Sequence, residues 1–247
     1  SSLSSGERHY WVLLDPDDFS IEQGVETARE AEEAGADAFL IGGSLMCTDH
    51  FDQFVHAVKK TVSVPVLIFP GDSSQLSRHA DGLLYLSLIS GRNPVNLIGE
   101  HVKAAPMIKR LGLEPIPTAY LLVESGQVTS VEFMSNTRPL PRTKPMIAAA
   151  HALAAQYMGM AMVYLEAGSG APQPVPNEMI KAVRGYTELP LIVGGGIRDV
   201  DTAVEKLEAG ADVIVTGNLL QKRDGVKVMR EIAQAICGYD SSLRTTS

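Results

Sequence analysis

The sequence predicts a (β/α)8 TIM barrel, modified so that the third helix is degenerate or missing. Short apolar runs alternate eight times with amphipathic segments along 247 residues, which is typical of this fold. One helix–glycine–strand unit recurs, because residues 28–43 (AREAEEAGADAFLIGG) align without gaps on residues 203–218 (AVEKLEAGADVIVTGN). An open doubly wound sheet is the alternative, but no Gly-x-Gly-x-x-Gly motif opens the first helix.

Length and composition favour one domain. At 45% hydrophobic residues, the chain can bury a full core. We expect a disordered arm over residues 1–8, a single barrel domain over residues 9–238 and a disordered tail over residues 239–247. A net charge of -8 argues against a nucleic-acid groove.

The cysteine content and the hydropathy of the sequence indicate the cellular compartment of the protein. Cys47 and Cys237 are isolated in the chain, and we interpret both as free thiols at small core positions in a reducing compartment. The chain contains no run of about 18 apolar residues and no signal-peptide pattern. The sequence therefore predicts a soluble, cytoplasmic protein.

The elements follow from periodicity and from helix end signals. Ser20 and Gln23 form a capping box for the first helix, which Gly35 ends, and Asp199 is a good N-cap for a later helix. The strands are predicted at 9–15, 38–41, 64–71, 83–89, 114–123, 162–166, 189–196 and 213–218, and the main helices at 20–34, 49–61, 94–110, 144–158 and 176–186.

The connection between the third and fourth strands is unusually short. Only about a dozen residues (71–82) are available, too few for a crossover with a full helix. The thin wall predicts a groove lined by Leu83, Tyr85, Leu88 and the helix after Pro94; a compact loop that covers the barrel is the alternative. In that helix the apolar residues predicted to point inward are Val95, Ile98, Val102 and Met107.

Three neighbouring strand exits are rich in glycine. They lie at 167–170, 194–196 and 217–218, after the predicted strands six, seven and eight. Barrels commonly bind phosphate at the last two of these exits, together with a helix N-terminus. We predict a phosphate site here; the alternative is that the glycines only turn the chain. Glu166, at the end of strand six, is a candidate proton acceptor.

Oxygen-bearing side chains follow the first two strands. Asp15 and Ser44 supply a carboxylate and a hydroxyl, ligands that suit Mg²⁺ when substrate phosphates complete its coordination. The alternative is that Asp15 only caps the entry of a helix, and Asp17 or Asp18 could bind the metal instead.

The motifs together carry a family resemblance. They are YLEAGSG (164–170), GGGI (194–197), TGN (216–218), LLDPDD (13–18) and GGS (42–44). The chain resembles the geranylgeranylglyceryl phosphate synthase family, which includes bacterial heptaprenylglyceryl phosphate synthases, over about residues 10–237. SLISGRNP and PLPRTKP resemble its second group. The family fold is a modified barrel without the third helix.

The resemblance implies a prenyltransferase of ether phospholipid biosynthesis. It would join the C3 hydroxyl of sn-glycerol 1-phosphate to a polyprenyl diphosphate, geranylgeranyl diphosphate being the first expectation, and release diphosphate with Mg²⁺ as cofactor. By position, Glu166 would accept the hydroxyl proton, and Asp15 and Ser44 would hold Mg²⁺. The residues that would bind glycerol phosphate are Tyr164, Leu165, Glu166, Ala167, Gly168, Ser169, Gly170, Gly195, Gly196, Gly217 and Asn218.

The resemblance also implies a homo-oligomer, either a dimer or a hexamer, with transient membrane contact for product release. The sequence departs from the other group of the family at residues 95–97, where that group carries a tryptophan, so the preferred prenyl length stays open. Two rival functions are a phosphosugar isomerase or lyase and a non-catalytic phosphometabolite-binding protein. A Schiff-base lyase would need a lysine inside the barrel, and no predicted strand carries one.

Overall fold

The protein is a closed barrel of eight parallel strands. The computed structural model describes residues 8–217, 219 and 224–238. The strands follow the chain order around the barrel, and β1 closes it against β8, with His9 opposite Val213. They are β1 His9–Leu14, β2 Ala38–Ile41, β3 Val66–Ile68, β4 Gly82–Ser87, β5 Glu114–Leu122, β6 Met162–Glu166, β7 Leu191–Gly194 and β8 Val213–Thr216. The predicted TIM barrel is confirmed.

Helices cover the outside of the barrel except at one place. They are α1 Ile21–Ala34, α2 Phe51–Thr61, α3 Glu100–Leu111, α4 Ser130–Ser135, α5 Pro145–Tyr157, α6 Asn177–Arg184, α7 Val200–Glu208 and α8 Gly225–Cys237. Residues 69–81, all of them described, connect β3 to β4 without a helix, so the missing third helix is confirmed. No described helix is long and apolar enough to span a bilayer. Residues 1–7 and the predicted tail, 239–247, lie outside the described residues.

The helix ends form as the sequence signals predict. The Ser20 side chain accepts from the backbone N–H of Gln23, whose own side chain bonds back to Ser20, and α1 ends at Gly35 with φ of +109°. Asp199 caps α7 in the same way through the Thr202 N–H. Gly210, the counterpart of Gly35 in the internal repeat, has φ of +115°, so the two repeated units share a left-handed glycine after the helix.

Strand alternation builds two apolar layers. Because successive side chains point to opposite faces, Val163 and Leu165 of β6 pack outward against the helices, whereas Met162 and Tyr164 fill the barrel. The same alternation along β6 places the Glu166 side chain on the inner face of the barrel. The barrel is therefore packed inside, and a ligand has room at the end where the strands finish.

The segment after β4 differs from the prediction. It begins with a π-helical turn, Val95–Gly99, before α3, so the helical phase changes within the predicted helix. The inward prediction for its apolar residues was wrong, since the exposed fractions are 48% for Val95, 58% for Ile98, 65% for Val102 and 41% for Met107. α3 instead packs through His101, Ala104 and Ile108.

The two cysteines were predicted as free thiols at core positions. Both Cys47 and Cys237 are free in the structure, and both are exposed, so the core placement was wrong. Cys47 lies in the loop after β2, where backbone contacts to Asp17 turn the chain outward, and Cys237 is the last residue of α8.

Candidate active site

One cavity of about 610 Å³ opens at the carboxyl ends of the strands. It extends from the exits of β6, β7 and β8, across the barrel mouth, to the wall formed by residues 69–81 and α3. Its lining therefore joins the predicted phosphate site, the predicted metal residues and the predicted groove in one continuous space.

Glu166 lies at the centre of this cavity and is almost fully buried. Its Oε1 accepts a hydrogen bond from the Gly168 N–H at 2.6 Å. Burial raises the pKa of Glu166 to about 7, against the lowering effects of the Gly168 N–H and the nearby Tyr164 hydroxyl. A carboxyl group with a pKa near neutrality can both take and return a proton at physiological pH.

The Tyr164 side chain lies on the same face of β6 as Glu166. Its hydroxyl is buried and has no hydrogen-bond partner of ordinary geometry within the described part of the chain. Burial, and secondarily the charge of Glu166, raises the pKa of Tyr164 well above its usual value. The hydroxyl lies beside the Glu166 carboxylate and lowers its pKa, but forms no hydrogen bond of ordinary geometry in the described residues, so it keeps hydrogen-bonding capacity for a ligand.

Two glycines of β7 and its exit make room for these side chains. A Cβ on Gly194 would lie 2.6 Å from the Tyr164 hydroxyl and 2.7 Å from Glu166 Oε2. A Cβ on Gly195 would lie 2.3 Å from Glu166 Oε1, and Gly195 also has φ of +81°. These positions therefore require glycine because the carboxylate packs directly on their backbone.

The other predicted phosphate-site residues divide into two sets. The residues that line the cavity are Ser169, Gly170, Gly195, Gly196 and Gly217. Leu165 points into the outer core, and the Ala167 and Gly168 N–H groups bond to Gly194 O and Glu166 Oε1. Asn218 lies outside the described residues.

Arg198 is a cavity residue that the sequence reasoning did not select. Its guanidinium Nη2 donates to Gly170 O at 3.1 Å and to Ala171 O at 2.8 Å, which ties the β6 exit to the start of α7. It brings a positive charge to the glycine-rich end of a cavity whose acidic lining residues are Asp15, Asp18, Asp72, Glu100 and Glu166. An arginine directly after the Gly-Gly-Gly-Ile segment was the available signal.

Asp15 and Ser44 both line the opposite part of the cavity mouth. The Asp15 carboxylate packs against Gly43, where a Cβ would lie 2.4 Å from its Oδ2. Burial, more than the charges of Asp17 and Asp18, raises the pKa of Asp15 to about 6. A half-buried carboxylate with a raised pKa is stabilised as an anion when a cation binds beside it.

These residues fit a magnesium ion that depends on its substrate. The described residues include no group of three or more His, Cys, Asp or Glu side chains able to hold a metal. Mg²⁺ typically uses one or two carboxylates together with water and substrate phosphates, so an ion held here by Asp15 and Ser44 would depend on the substrate for its other ligands. Asp17 is engaged elsewhere, since its carboxylate accepts from the Cys47 and Thr48 N–H groups at 2.8 Å, whereas Asp18 also lines the cavity.

The remaining part of the cavity forms an apolar groove at the thin wall. Leu83, Tyr85, Leu88 and Val95 line it, as the sequence analysis expected. His101 of α3 lines it as well and was not predicted to do so. Its ring packs edge-on against Tyr85 at 4.5 Å between centroids, and both of its ring nitrogens are buried without a partner in the described structure.

Aromatic rings connect the groove to Glu166. Phe69 and Tyr120 line the cavity, and the ring of Tyr164 lies 5.5 Å from each of them between centroids. The faces of aromatic rings carry negative charge density, so this cluster suits a ligand that develops positive charge. The sequence analysis did not reveal this cluster, because Phe69 and Tyr120 lie in predicted strands and resemble ordinary core residues.

Comparisons with known proteins agree with this geometry. Residues 4–236 match the PcrB family. The chain is 48% identical to the geranylgeranylglyceryl phosphate synthase of Thermococcus gammatolerans over 226 residues, which cover 91% of this chain and 89% of that protein.

Solved structures give the same relationship. The wild-type GGGPS from Thermoplasma volcanium superposes with a TM-score of 0.89 at 38% identity, covering 95% of this chain and 94% of that one. The geranylgeranylglyceryl phosphate synthase of Thermoplasma acidophilum, solved with its substrate sn-glycerol-1-phosphate, has a TM-score of 0.89 at 34% identity and covers 93% of each chain. Sequence match, fold and cavity thus place the chain in the PcrB family, with the geranylgeranylglyceryl phosphate synthases, and it is a prenyltransferase enzyme.

Proposed function

We propose that the protein joins the C3 hydroxyl of sn-glycerol 1-phosphate to C1 of a polyprenyl diphosphate, forming an ether and releasing diphosphate. The observation that carries this proposal is the buried Glu166, whose pKa of about 7 and position between glycine-rich exits suit a base acting on a phosphorylated alcohol. Family membership supports the same pair of substrates.

Glycerol phosphate is proposed to bind at the β6, β7 and β8 exits. Ser169, Gly170, Gly195, Gly196 and Gly217 would hold its phosphate, supported by the positive N-terminal end of α7. Arg198 would hold the Gly170 loop in place. The glycerol hydroxyls would then extend toward Glu166 and the buried Tyr164 hydroxyl.

The proposed reaction is a substitution at the allylic carbon. Glu166 removes the C3 hydroxyl proton as the glycerol oxygen bonds to C1, and the C1–O bond to diphosphate breaks with its electron pair leaving on diphosphate. The rings of Phe69, Tyr120 and Tyr164 would stabilise positive charge on the allylic group as that bond weakens. Asp15 and Ser44 would hold Mg²⁺, which supplies charge neutralisation for the leaving diphosphate.

The prenyl tail is proposed to lie in the groove at the missing third helix. Burial of each CH₂ contributes about 0.8 kcal/mol, so an apolar groove lined by Leu83, Leu88 and Val95 favours a long tail. His101 faces the same space, and burial lowers the pKa of its ring.

The exposed apolar residues of the π-helical turn and α3 support two further proposals. Val95, Ile98 and Val102 are 48%, 58% and 65% exposed beside the groove. We propose that a second copy of the chain covers this face in a homo-oligomer, or that the face contacts a membrane when the lipid product leaves. We also propose that the protein acts in the cytoplasm. Light scattering and vesicle co-sedimentation of the purified protein test the two alternatives.

Turnover tests the proposed function directly. The protein is incubated with sn-glycerol 1-phosphate, Mg²⁺ and prenyl diphosphates of increasing length, and the ether product and released diphosphate are measured. The enantiomer sn-glycerol 3-phosphate is the matched control. Product from the 1-phosphate alone supports the proposal, and absence of ether product with every prenyl diphosphate contradicts it.

A further inference from the structure

The segment that replaces the third helix carries a buried polar side chain. Gln75 is 1% exposed, although it lies in the irregular connection between β3 and β4. Its Nε2 donates to Gly43 O at 3.0 Å, and its Oε1 accepts from the Gly71 N–H at 3.2 Å and from the Gly43 N–H at 3.5 Å. One side-chain amide therefore binds the N–H and the carbonyl of Gly43 and ties them to the β3 exit.

The residue that Gln75 holds lies against the proposed metal ligands. A Cβ on Gly43 would lie 2.4 Å from Asp15 Oδ2, and Ser44 is the next residue in the chain. The β2 and β3 exits also touch, since a Cβ on Gly71 would lie 2.4 Å from Gly43 O. Gly43 thus connects the two proposed ligands, because its backbone packs on the Asp15 carboxylate and continues directly into Ser44.

We propose that Gln75 is a positioning residue for the diphosphate end of the site. By holding Gly43 from both sides, it keeps Asp15 and Ser44 in the arrangement that accepts Mg²⁺ with a prenyl diphosphate. This inference rests on the proposed function. It means that the connection between β3 and β4 contributes to the chemistry as well as forming a wall of the groove.

If Gln75 only stabilised the fold of this segment, the loss of another buried contact of the segment would have the same effect. The Ser77 hydroxyl, also 1% exposed, donates to Asp52 Oδ1 at 2.6 Å, and the Ser73 N–H donates to Glu100 Oε2 at 2.9 Å. These bonds fasten the segment to α2 and α3 and have no contact with Gly43. Ser77→Ala is therefore a control that loosens the segment without releasing the β2 exit.

The test compares Gln75→Met, which keeps the side-chain length and removes both hydrogen-bonding groups, with Ser77→Ala. Binding of inorganic diphosphate with and without Mg²⁺ is measured by calorimetry, and KM is measured for each substrate. For Gln75→Met we expect Mg²⁺-dependent diphosphate binding to weaken about tenfold or more, the size expected for a lost buried hydrogen bond. The KM for prenyl diphosphate should rise by a similar factor. The glycerol phosphate KM should change less than about twofold, and Ser77→Ala should leave diphosphate binding unchanged.

A second variant reaches the same peptide from the other side. Gly71→Ala keeps the Gln75 residue but places a methyl group 2.4 Å from Gly43 O and 3.0 Å from Gln75 Nε2, so it should give the same selective loss. If Gln75→Met does not fold, this variant tests the step on which the inference depends, that the position of Gly43 controls diphosphate binding. Unchanged diphosphate binding in these variants, equal loss for both substrates, or the same loss in Ser77→Ala would overturn the inference. Absence of turnover by the wild type would instead contradict the proposed function, while the calorimetric comparison would still test Gln75.

Discussion

The substitution Glu166→Gln removes the proposed base while keeping the length and shape of the side chain. The glutamine oxygen can still accept from the Gly168 N–H, as Glu166 Oε1 does at 2.6 Å. A general base contributes about 10²- to 10⁴-fold to a rate, so kcat should fall about 10²-fold or more. Glycerol phosphate affinity should stay near the wild-type value, because the glycine-rich exits are unchanged.

The same substitution should stabilise the fold above neutral pH. Burial raises the pKa of Glu166 from its ordinary 4.5 to about 7, so the folded protein binds this proton more tightly than the unfolded chain does. Above pH 7 the fold must hold a buried carboxylate, and at about 1.4 kcal/mol per pKa unit this costs about 3 kcal/mol. Glutamine avoids that cost. Below pH 4.5 both states are protonated, so the gain disappears.

Urea denaturation at pH 5 and pH 8, combined with steady-state kinetics, measures both effects on one variant. The gain in unfolding free energy should be larger at pH 8 by roughly 2 kcal/mol. Glu114→Gln is the matched control, since Glu114 is exposed at the opposite end of the barrel. A near-normal kcat would remove Glu166 from the base role, and an equal stability gain at both pH values would refute the buried-carboxylate argument.

Three further substitutions and one pH profile test the rest of the site. Asp15→Asn should raise the Mg²⁺ concentration needed for activity and the prenyl diphosphate KM about tenfold; coincident Mg²⁺ titrations would move the ligand role to Asp18. Arg198→Met should raise the glycerol phosphate KM about tenfold with the prenyl diphosphate KM unchanged, measured by initial rates. Val95→Trp should shorten the longest prenyl chain accepted while sparing short ones; an unchanged length profile would place the tail elsewhere. In wild type, kcat/KM should fall about tenfold per pH unit below about 7, as Glu166 protonates, and a flat profile there would contradict the base assignment.

Much of the site follows from local sequence. The parity of a strand places Tyr164 and Glu166 on one face, and a barrel brings the exits of β6, β7 and β8 together at one end. Once the strands are recognised, the glycines and the acid are necessarily neighbours. The close packing of Gly194 and Gly195 on the carboxylate gives those glycines a reason beyond turning the chain.

Other features depend on phase and on long-range contacts. The π-helical turn at Val95–Gly99 changes the face that α3 presents, and apolar periodicity alone did not reveal that change. Phe69 directly follows β3, Tyr120 is in β5 and Tyr164 is in β6, so their rings meet only in the closed barrel. The bonds of Gln75 to Gly43 span 32 residues, and nothing near Gln75 in the chain indicates its partner.

The sequence by itself determined the order of strands and helices, the missing third helix and the ends of strands where the chemistry lies, because these depend on local periodicity, chain length and end signals. Only the tertiary structure decided the raised pKa of Glu166, the burial of the Tyr164 hydroxyl beside it and the direction of the exposed apolar face over residues 95–107. Burial and packing depend on contacts between residues that are far apart in the chain, and these contacts form only when the barrel closes.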